Sequence, residues 1–280
     1  MDWVRGEAVG HGSFGKVNLA IPKNQTSQFL PSMAVKSSAV FHSASLMNEK
    51  KILDELNGCP EIIRCLGDSY SFENNEKLYN VLLEYASGGS LAEKLKKSEC
   101  HKLTEFEVSR YTKGILRGLQ YVHEIGYAHC DIKLQNILLS EDDKVKLADF
   151  GLAKRVRTKK GDDETRCELR GTPLYMSPEM ITGGEQGTPA DIWALGCVVA
   201  EMVTGVPAYK FSDATELLMA IGVKNQLPEI PETLSEERKD FLGKCFVKDP
   251  RKRWTAEMLL KHPFVADQDT VTFNEEVKSG

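Results

Sequence analysis

His129-Cys130-Asp131-Ile132-Lys133-Leu134-Gln135-Asn136, followed at a short interval by Asp149-Phe150-Gly151, is the stretch on which the reading turns. Two acidic residues, a lysine and an asparagine fall in short polar segments between apolar runs. Phosphoryl transfer from ATP to a hydroxyl calls for this inventory. One carboxylate orients the hydroxyl, and a second carboxylate with an amide oxygen holds Mg²⁺. Either piece alone could be an ordinary polar turn beside a hairpin, so its order and spacing relative to the rest of the chain carry the weight.

Working back toward the N-terminus, Val9-Gly10-His11-Gly12-Ser13-Phe14-Gly15-Lys16-Val17 has the pattern Gly-x-Gly-x-x-Gly-x-Val. Glycines let a backbone hairpin close over phosphates where a Cβ would obstruct the approach. The dinucleotide-binding fold shares the first six positions, but there the loop opens a helix. Here Lys16 to Ala20 alternates like a strand and runs into a polar stretch, which favours a glycine-rich hairpin. Met33-Ala34-Val35-Lys36 reads as the next strand, ending in a lysine that could grip phosphates if a carboxylate supports it. Ser45 to Leu56 supplies one. Leu46, Glu49, Leu53 and Leu56 recur at helical spacing, with Ser45 as cap and Gly58 as stop. Glu49 therefore lies on an apolar face, where burying it unpaired would be costly, and a Lys36–Glu49 ion pair resolves that cost.

Further strands are expected at Ile62 to Leu66 and Tyr79 to Leu83, and Ser87-Gly88-Gly89-Ser90 marks a break. Thr104-Glu105-Phe106-Glu107 is a capping box opening a long helix. Val108, Tyr111, Ile115, Leu119 and Val122 form its buried stripe, and Gly126 closes it. Ile192 to Val203 is apolar nearly all round and predicts a buried central helix, with Thr188 as cap and Pro189 in its first turn. Leu259 to Phe264 fits a last helix, and 267–280 reads as a flexible tail.

With these pieces in order, residues from about 6 to 266 resemble one serine/threonine protein kinase catalytic domain. Gly171-Thr172-Pro173-Leu174-Tyr175-Met176-Ser177-Pro178-Glu179 resembles the MEKK-type MAP kinase kinase kinases. Ala128 to Lys133 and Ala190-Asp191-Ile192-Trp193-Ala194-Leu195-Gly196-Cys197 are similar to the plant branch of that group. The resemblance implies an α+β, bilobal protein kinase fold. Its small β-rich N-lobe, with one key helix, would span 1–86 including the hinge, and its mainly helical C-lobe 87–266.

The resemblance also implies roles. Asp131 would take the hydroxyl proton, Lys133 would steady the migrating phosphoryl group, and Lys36 with Glu49 would complete the catalytic set. Asn136 and Asp149 would hold Mg²⁺. Val9, Gly10, Gly12, Gly15, Val17, Ala34, Lys36, Leu83, Glu84, Ala86, Asn136, Leu138 and Asp149 would surround ATP. Of these, Glu84 and Ala86 would bond the adenine through their backbone, with Leu83 at the back of the pocket. Thr172 would line a peptide groove near Asp131, Glu179 would pair with Arg253, and Asp191 would brace the catalytic-loop backbone. The implied activity is transfer of the γ-phosphate to Ser or Thr of a downstream kinase, a MAP kinase kinase. The rival reading is a pseudokinase-like nucleotide-binding scaffold. It is opposed by the presence of Lys36, Glu49, Asp131, Asn136 and Asp149 together.

One position departs from the family. Cys130 stands where most kinases carry an arginine that pairs with a phosphorylated activation segment, so one charge-assisted anchor is lost. Less dependence on activation-segment phosphorylation is the expectation. Asp131 beside it should raise the thiol pKa, which favours an inert thiol over a redox switch. The run Lys154-Arg155-Val156-Arg157-Thr158-Lys159-Lys160, with Asp162-Asp163-Glu164 after it, is a solvated loop or a receiver for a phosphate on Thr158 or Thr165, or for an acidic substrate segment.

Bulk properties bound the alternatives. A chain of 280 residues with 41% hydrophobic and 28% charged content suits a globular enzyme, and the formal net charge of -5 gives no reason to expect nucleic acid or an anionic membrane. No apolar run approaches a membrane span, and the N-terminal residues do not read as a signal peptide. Seven cysteines without a Cys-x-x-Cys pair indicate free thiols in a reducing compartment, the cytoplasm with access to the nucleus. A monomer is expected.

Overall fold

Alternating residues build the first part of the molecule into an antiparallel sheet. The computed structural model describes residues 3–12, 15–23, 33–156, 171–183, 186–211, 213–224 and 226–266. Strands β1 (Trp3–Gly12), β2 (Gly15–Pro22), β3 (Met33–Ala39), β4 (Cys65–Glu73) and β5 (Glu76–Glu84) form one sheet in the order β1-β2-β3-β5-β4. Register pairs Val17 with Lys36 and Lys36 with Val81, so Lys36 lies inside β3 and does not end it. Helix α1 (Ala44–Glu55) covers one face with Leu46, Glu49, Ile52 and Leu53, all buried.

Two local expectations are corrected here. Ser45 is not the cap of α1: the helix begins at Ala44, and the Ser45 hydroxyl donates to the Gly151 carbonyl at 3.3 Å. The strand expected at Ile62 to Leu66 begins only at Cys65. Ile62 and Ile63 serve another purpose. Ile62 makes a parallel bridge to Leu147, and the Ile63 N–H donates to the Leu147 carbonyl at 2.9 Å. They are apolar because they plug the base of the sheet onto the helical part.

After β5 the chain turns helical. Helix α2 (Leu91–Lys97) was not foreseen, although Ser90 and Glu93 form a capping box of the kind recognised at Thr104. Helix α3 (Glu105–Glu124) carries its box on Thr104 and Glu107, and its stripe from Val108 to Val122 is at most 1% exposed. Gly126, at φ +89, ends it in a conformation suited to glycine. Short strands β6 (Tyr127–Ala128), β7 (Ile137–Leu139), β8 (Val145–Leu147) and β9 (Lys154–Arg155) follow, pairing β6 with β9 and β7 with β8.

Helix α4 (Pro178–Ile181) precedes the buried rod α5 (Thr188–Thr204). The cap of α5 is Gly187, one residue before the expected Thr188, while Pro189 does sit in the first turn. Helices α6 (Ala214–Gly222), α7 (Glu236–Cys245), α8 (Ala256–Leu260) and α9 (Pro263–Ala266) follow: α7 packs on α5, α6 on α4, and α8 and α9 on α3. The expected last helix is therefore two short ones, broken before Pro263, which has no N–H to continue α8. The tail at 267–280, Ser13, Phe14, and the segment containing Thr158, Asp162, Asp163, Glu164, Thr165 and Cys167 lie outside the described residues.

Packing around α5 is tight enough to reverse a familiar preference. A Cβ on Gly196 would stand 2.7 Å from Cys245 Cβ and 2.7 Å from Phe246 Cε1. Alanine in an open helix is favoured over glycine by about 1 kcal/mol. Here the collision outweighs that gain. Gly196→Ala should lower the unfolding free energy by about 1–3 kcal/mol in urea titration; an unchanged or raised midpoint would refute the packing argument.

Candidate active site

Most of the expected residues converge on one cleft of about 760 Å³ between the sheet and the helical part; Gly12 and Gly15 are not among its described lining residues, and Asp131 lines an adjoining small cavity with Cys130, Gly171 and Thr172. Val9, Gly10, Val17 and Ala34 form its roof, Leu83, Glu84 and Ala86 its rear, and Lys133, Asn136, Leu138 and Asp149 its floor, with Lys36 and Glu49 deep inside. Ile63 and Ala148 also line it, neither foreseen.

Lys36 is the centre of the electrostatics. Its ammonium lies 2.6 Å from Glu49 Oε2 and 2.8 Å from Asp149 Oδ1. The pairing with Glu49 was expected; the second carboxylate was not, because sequence distance hides it. Burial works against the charge on Lys36, but Glu49 and Asp149 overcome it and hold the ammonium above its ordinary pKa. Burial likewise raises the Glu49 carboxyl. Against the same desolvation, Lys36 keeps Asp149 below the usual carboxylate range, so Asp149 is ionised at neutral pH. Asp149 itself has φ +63, and this turn aims its carboxylate at Lys36 while Phe150 is buried against the His129 ring, centroids 4.6 Å apart.

Asp131 forms a second cluster. Its Oδ2 accepts from Lys133 Nζ at 2.7 Å and from Asn136 Nδ2 at 2.9 Å, and its Oδ1 accepts from Thr172 Oγ1 at 3.1 Å. Lys133 also donates to Thr172 at 3.1 Å. Three residues, Lys133 and Asn136 from the same loop and Thr172 from a distant segment, thus fix the direction of one carboxylate, which could accept a hydroxyl proton. His129 is wholly buried, and desolvation lowers its pKa. Its Nδ1 accepts from the Asp131 N–H at 3.3 Å, so the neutral ring donates from Nε2 to the Ala148 carbonyl at 3.1 Å.

Asp191 holds the loop from below. Its Oδ2 accepts from the His129 N–H and its Oδ1 from the Cys130 N–H, both at 2.8 Å, as expected. His123 Nε2 lies 2.9 Å from the same Oδ2. The expected Glu179–Arg253 pair is bidentate, at 2.7 and 3.0 Å.

The donor set fits Mg²⁺ held largely by phosphates and water. Asn136 donates from Nδ2 to the Asp131 carbonyl and carboxylate, which leaves its side-chain oxygen without a hydrogen-bond donor among the described residues. Asp149 offers an ionised carboxylate in the same cleft. Among the described residues no cluster of three or more His, Cys, Asp or Glu forms a complete cage for a metal.

At the rear, the Glu84 N–H donates to the Arg64 carbonyl at 2.9 Å, so that group is spent and Glu84 can offer the cleft only its carbonyl. The Ala86 N–H has no protein acceptor among the described residues, which suits it to a ligand acceptor. The glycines are explained differently from expectation. A Cβ at Gly10 would meet nothing within 4 Å, whereas one at Gly15 would stand 2.3 Å from the Ser37 carbonyl oxygen. Gly15 is required by the approach of β2 to β3. Gly12 is described only as the end of β1.

Comparison with known proteins adds the following likenesses. The protein kinase domain family model matches residues 3–265. Mitogen-activated protein kinase kinase kinase 20 of Arabidopsis thaliana is 53% identical over 268 residues, covering 95% of this chain and 78% of that protein. Mitogen-activated protein kinase kinase kinase 18 of the same plant is 41% identical, covering 96% and 79%, and number 17 is 40% identical, covering 97% and 71%.

Asp191→Asn tests the support of the catalytic loop. An amide has one acceptor oxygen where two backbone N–H groups now bond, so one buried donor is orphaned at about 1–3 kcal/mol. Asp191 lies outside the cleft wall, so the variant should lose most of its kcat with little change in KM for ATP. A selective rise in KM would show that the brace does not act on Asp131.

Proposed function

The chain belongs to the protein kinase domain family, and on that premise we propose that it is a MAP kinase kinase kinase, transferring the γ-phosphate of ATP to Ser or Thr of a MAP kinase kinase. One observation carries the reading. A charged Lys36 lies between Glu49 and Asp149 inside the same cleft that presents Asn136 and Lys133. A nucleotide-binding scaffold would need none of the second cluster, in which Thr172, Lys133 and Asn136 all direct Asp131.

Lys36, held charged and immobile, would meet the α- and β-phosphates. Asn136 and Asp149 would hold Mg²⁺, which would supply positive charge against the phosphates. Asp131 would accept a hydrogen bond from the substrate hydroxyl and take its proton late in the transfer. Lys133 would steady the phosphoryl oxygens. The Ala86 N–H and the Glu84 carbonyl would bond the adenine edge between Ala34 and Leu138. Turnover of about 1–100 per second corresponds to a barrier of about 15–17 kcal/mol, reached by positioning and charge stabilisation. We place the enzyme in the cytoplasm with nuclear access, acting as a monomer. The six described cysteines, all free thiols, support a reducing compartment.

Two measurements test this. Mg-ATP and a panel of catalytically inactive MAP kinase kinases should give Ser/Thr phosphorylation by the wild type and none by Asp149→Asn; nucleotide binding without transfer to any of them would favour the scaffold. Phosphatase-treated enzyme should retain most of its rate, because Cys130 offers no cation to an activation-segment phosphate. That second reading fails if treatment abolishes activity and one phosphosite restores it.

A further inference from the structure

The face of the sheet turned away from α1 is held by charge more than by apolar packing. Its apolar cluster is small: Trp3, Ala20 and Val35, with Met33 and Leu82 partly buried against them. Beside it Arg5 reaches from β1 to three other strands. Its Nε and Nη2 donate to Glu73 at 2.8 and 3.0 Å on β4, Nη1 to Ser37 Oγ at 2.9 Å on β3, and Nη2 to Asn80 Oδ1 at 3.0 Å on β5. Ser37 Oγ donates to the same Asn80 oxygen at 2.7 Å, and Asn80, wholly buried, donates to Ser71 at 2.9 Å. The guanidinium holds the Glu73 carboxyl below its ordinary pKa, so the clamp is charged throughout the neutral range.

This network is joined to the cleft at one residue. Ser37 follows Lys36 directly, and its carbonyl oxygen is the atom that excludes a Cβ at Gly15. Among the described residues strand β1 pairs only with β2, and its register slips between Arg5 and Ala8 and again before Gly10. Gly10 keeps a register partner, Val17, but the roof residue Val9 falls in the second slip and has none. The Arg5 fork supplies the missing constraint by tying the root of β1 to the strand that carries Lys36.

We propose that Arg5 is a positioning residue for nucleotide binding: through Ser37, Asn80 and Glu73 it seats the roof residues Val9 and Gly10 of β1 over the cleft. The inference rests on the kinase reading and adds a residue that contacts neither nucleotide nor substrate. Apparent affinity falls in proportion to the fraction of molecules with the roof seated, so a roof seated one-tenth of the time weakens binding about tenfold. Once nucleotide is bound the roof is seated, and the transfer step is untouched.

The test is Arg5→Gln in the full chain. Calorimetry with a non-hydrolysable Mg-ATP analogue gives Kd, and steady-state assays give kcat and KM for ATP. Kd and KM for ATP should both rise about tenfold while kcat stays within about twofold of wild type. Gly196→Ala, destabilised in the helical part, serves as the control and should bind with wild-type Kd. The inference is overturned if Arg5→Gln only lowers Tm, as Gly196→Ala does, or if kcat falls at unchanged Kd. Should Arg5→Gln not fold, Ser37→Ala decides: a rise in Kd of about threefold supports the clamp, and an unchanged Kd refutes it. A wild type that binds nucleotide normally beside an unaltered variant sinks this inference alone; a wild type that binds none sinks the kinase reading and this one with it.

Discussion

One ammonium between a buried carboxylate, Glu49, and a half-buried one, Asp149, governs the arrangement of this molecule. Lys36 comes from a central strand, Glu49 from the helix packed on the sheet, and Asp149 from a turn in the helical part. None of the three could be buried alone at tolerable cost, and removal of one partner from such a group typically costs about 3–5 kcal/mol. The sheet, α1 and the Asp149 turn must therefore assemble together. Two acids share one cation, so negative charge is left over, and it falls on Asp149, the carboxylate facing the cleft. That surplus is what a divalent cation would complete.

The helical part repeats the principle with opposite sign and different partners. Asp191 is 1% exposed yet accepts two backbone N–H bonds and lies beside His123, in the first turn of α5 where the helix dipole favours an anion. Arg253 answers it near the same helix end, bonded to Glu179, to the Pro189 and Val247 carbonyls, and stacked 5.0 Å over Trp193. The buried rod α5 is apolar along its length and polar only where it must hold other segments. Its rigidity passes to the catalytic loop through two hydrogen bonds.

Much of this was legible because the informative intervals are short. Asp131, Lys133 and Asn136 lie within six residues, and Glu49 betrays itself by falling on an apolar helical face. The unread parts share a physical cause. In β4, Ser71 is a buried polar residue and Glu73 a half-buried one, so the strand lacks the apolar alternation that marks one, and the apolar pair Ile62-Ile63 just before it carries the stronger strand signal. The Arg5 network is invisible for the same reason, since its members resemble surface residues until a fold brings together positions 68 and 75 apart. Helix α2 had a readable signal, Ser90 with Glu93, masked by the glycines before it.

Cys130 shows how a departure in sequence becomes a difference in structure. The residue has φ +67, is 7% exposed, and donates its backbone N–H to Asp191 while its carbonyl accepts from Gln186 at 3.2 Å. Gly171, at φ +117, packs so closely that a Cβ there would stand 3.3 Å from the same carbonyl, with Met176 and Met180 just beyond. A small side chain fits this enclosed corner, and the thiol is directed at the Ala128 carbonyl, 3.5 Å away. The backbone bonds that fix Asp131 run through the main chain of Cys130, so its side chain can change identity without disturbing them. A thiol at this position offers no long cation to a neighbouring segment. The loop's geometry is then set from within, by Asp191 below and by Lys133, Asn136 and Thr172 around the carboxylate.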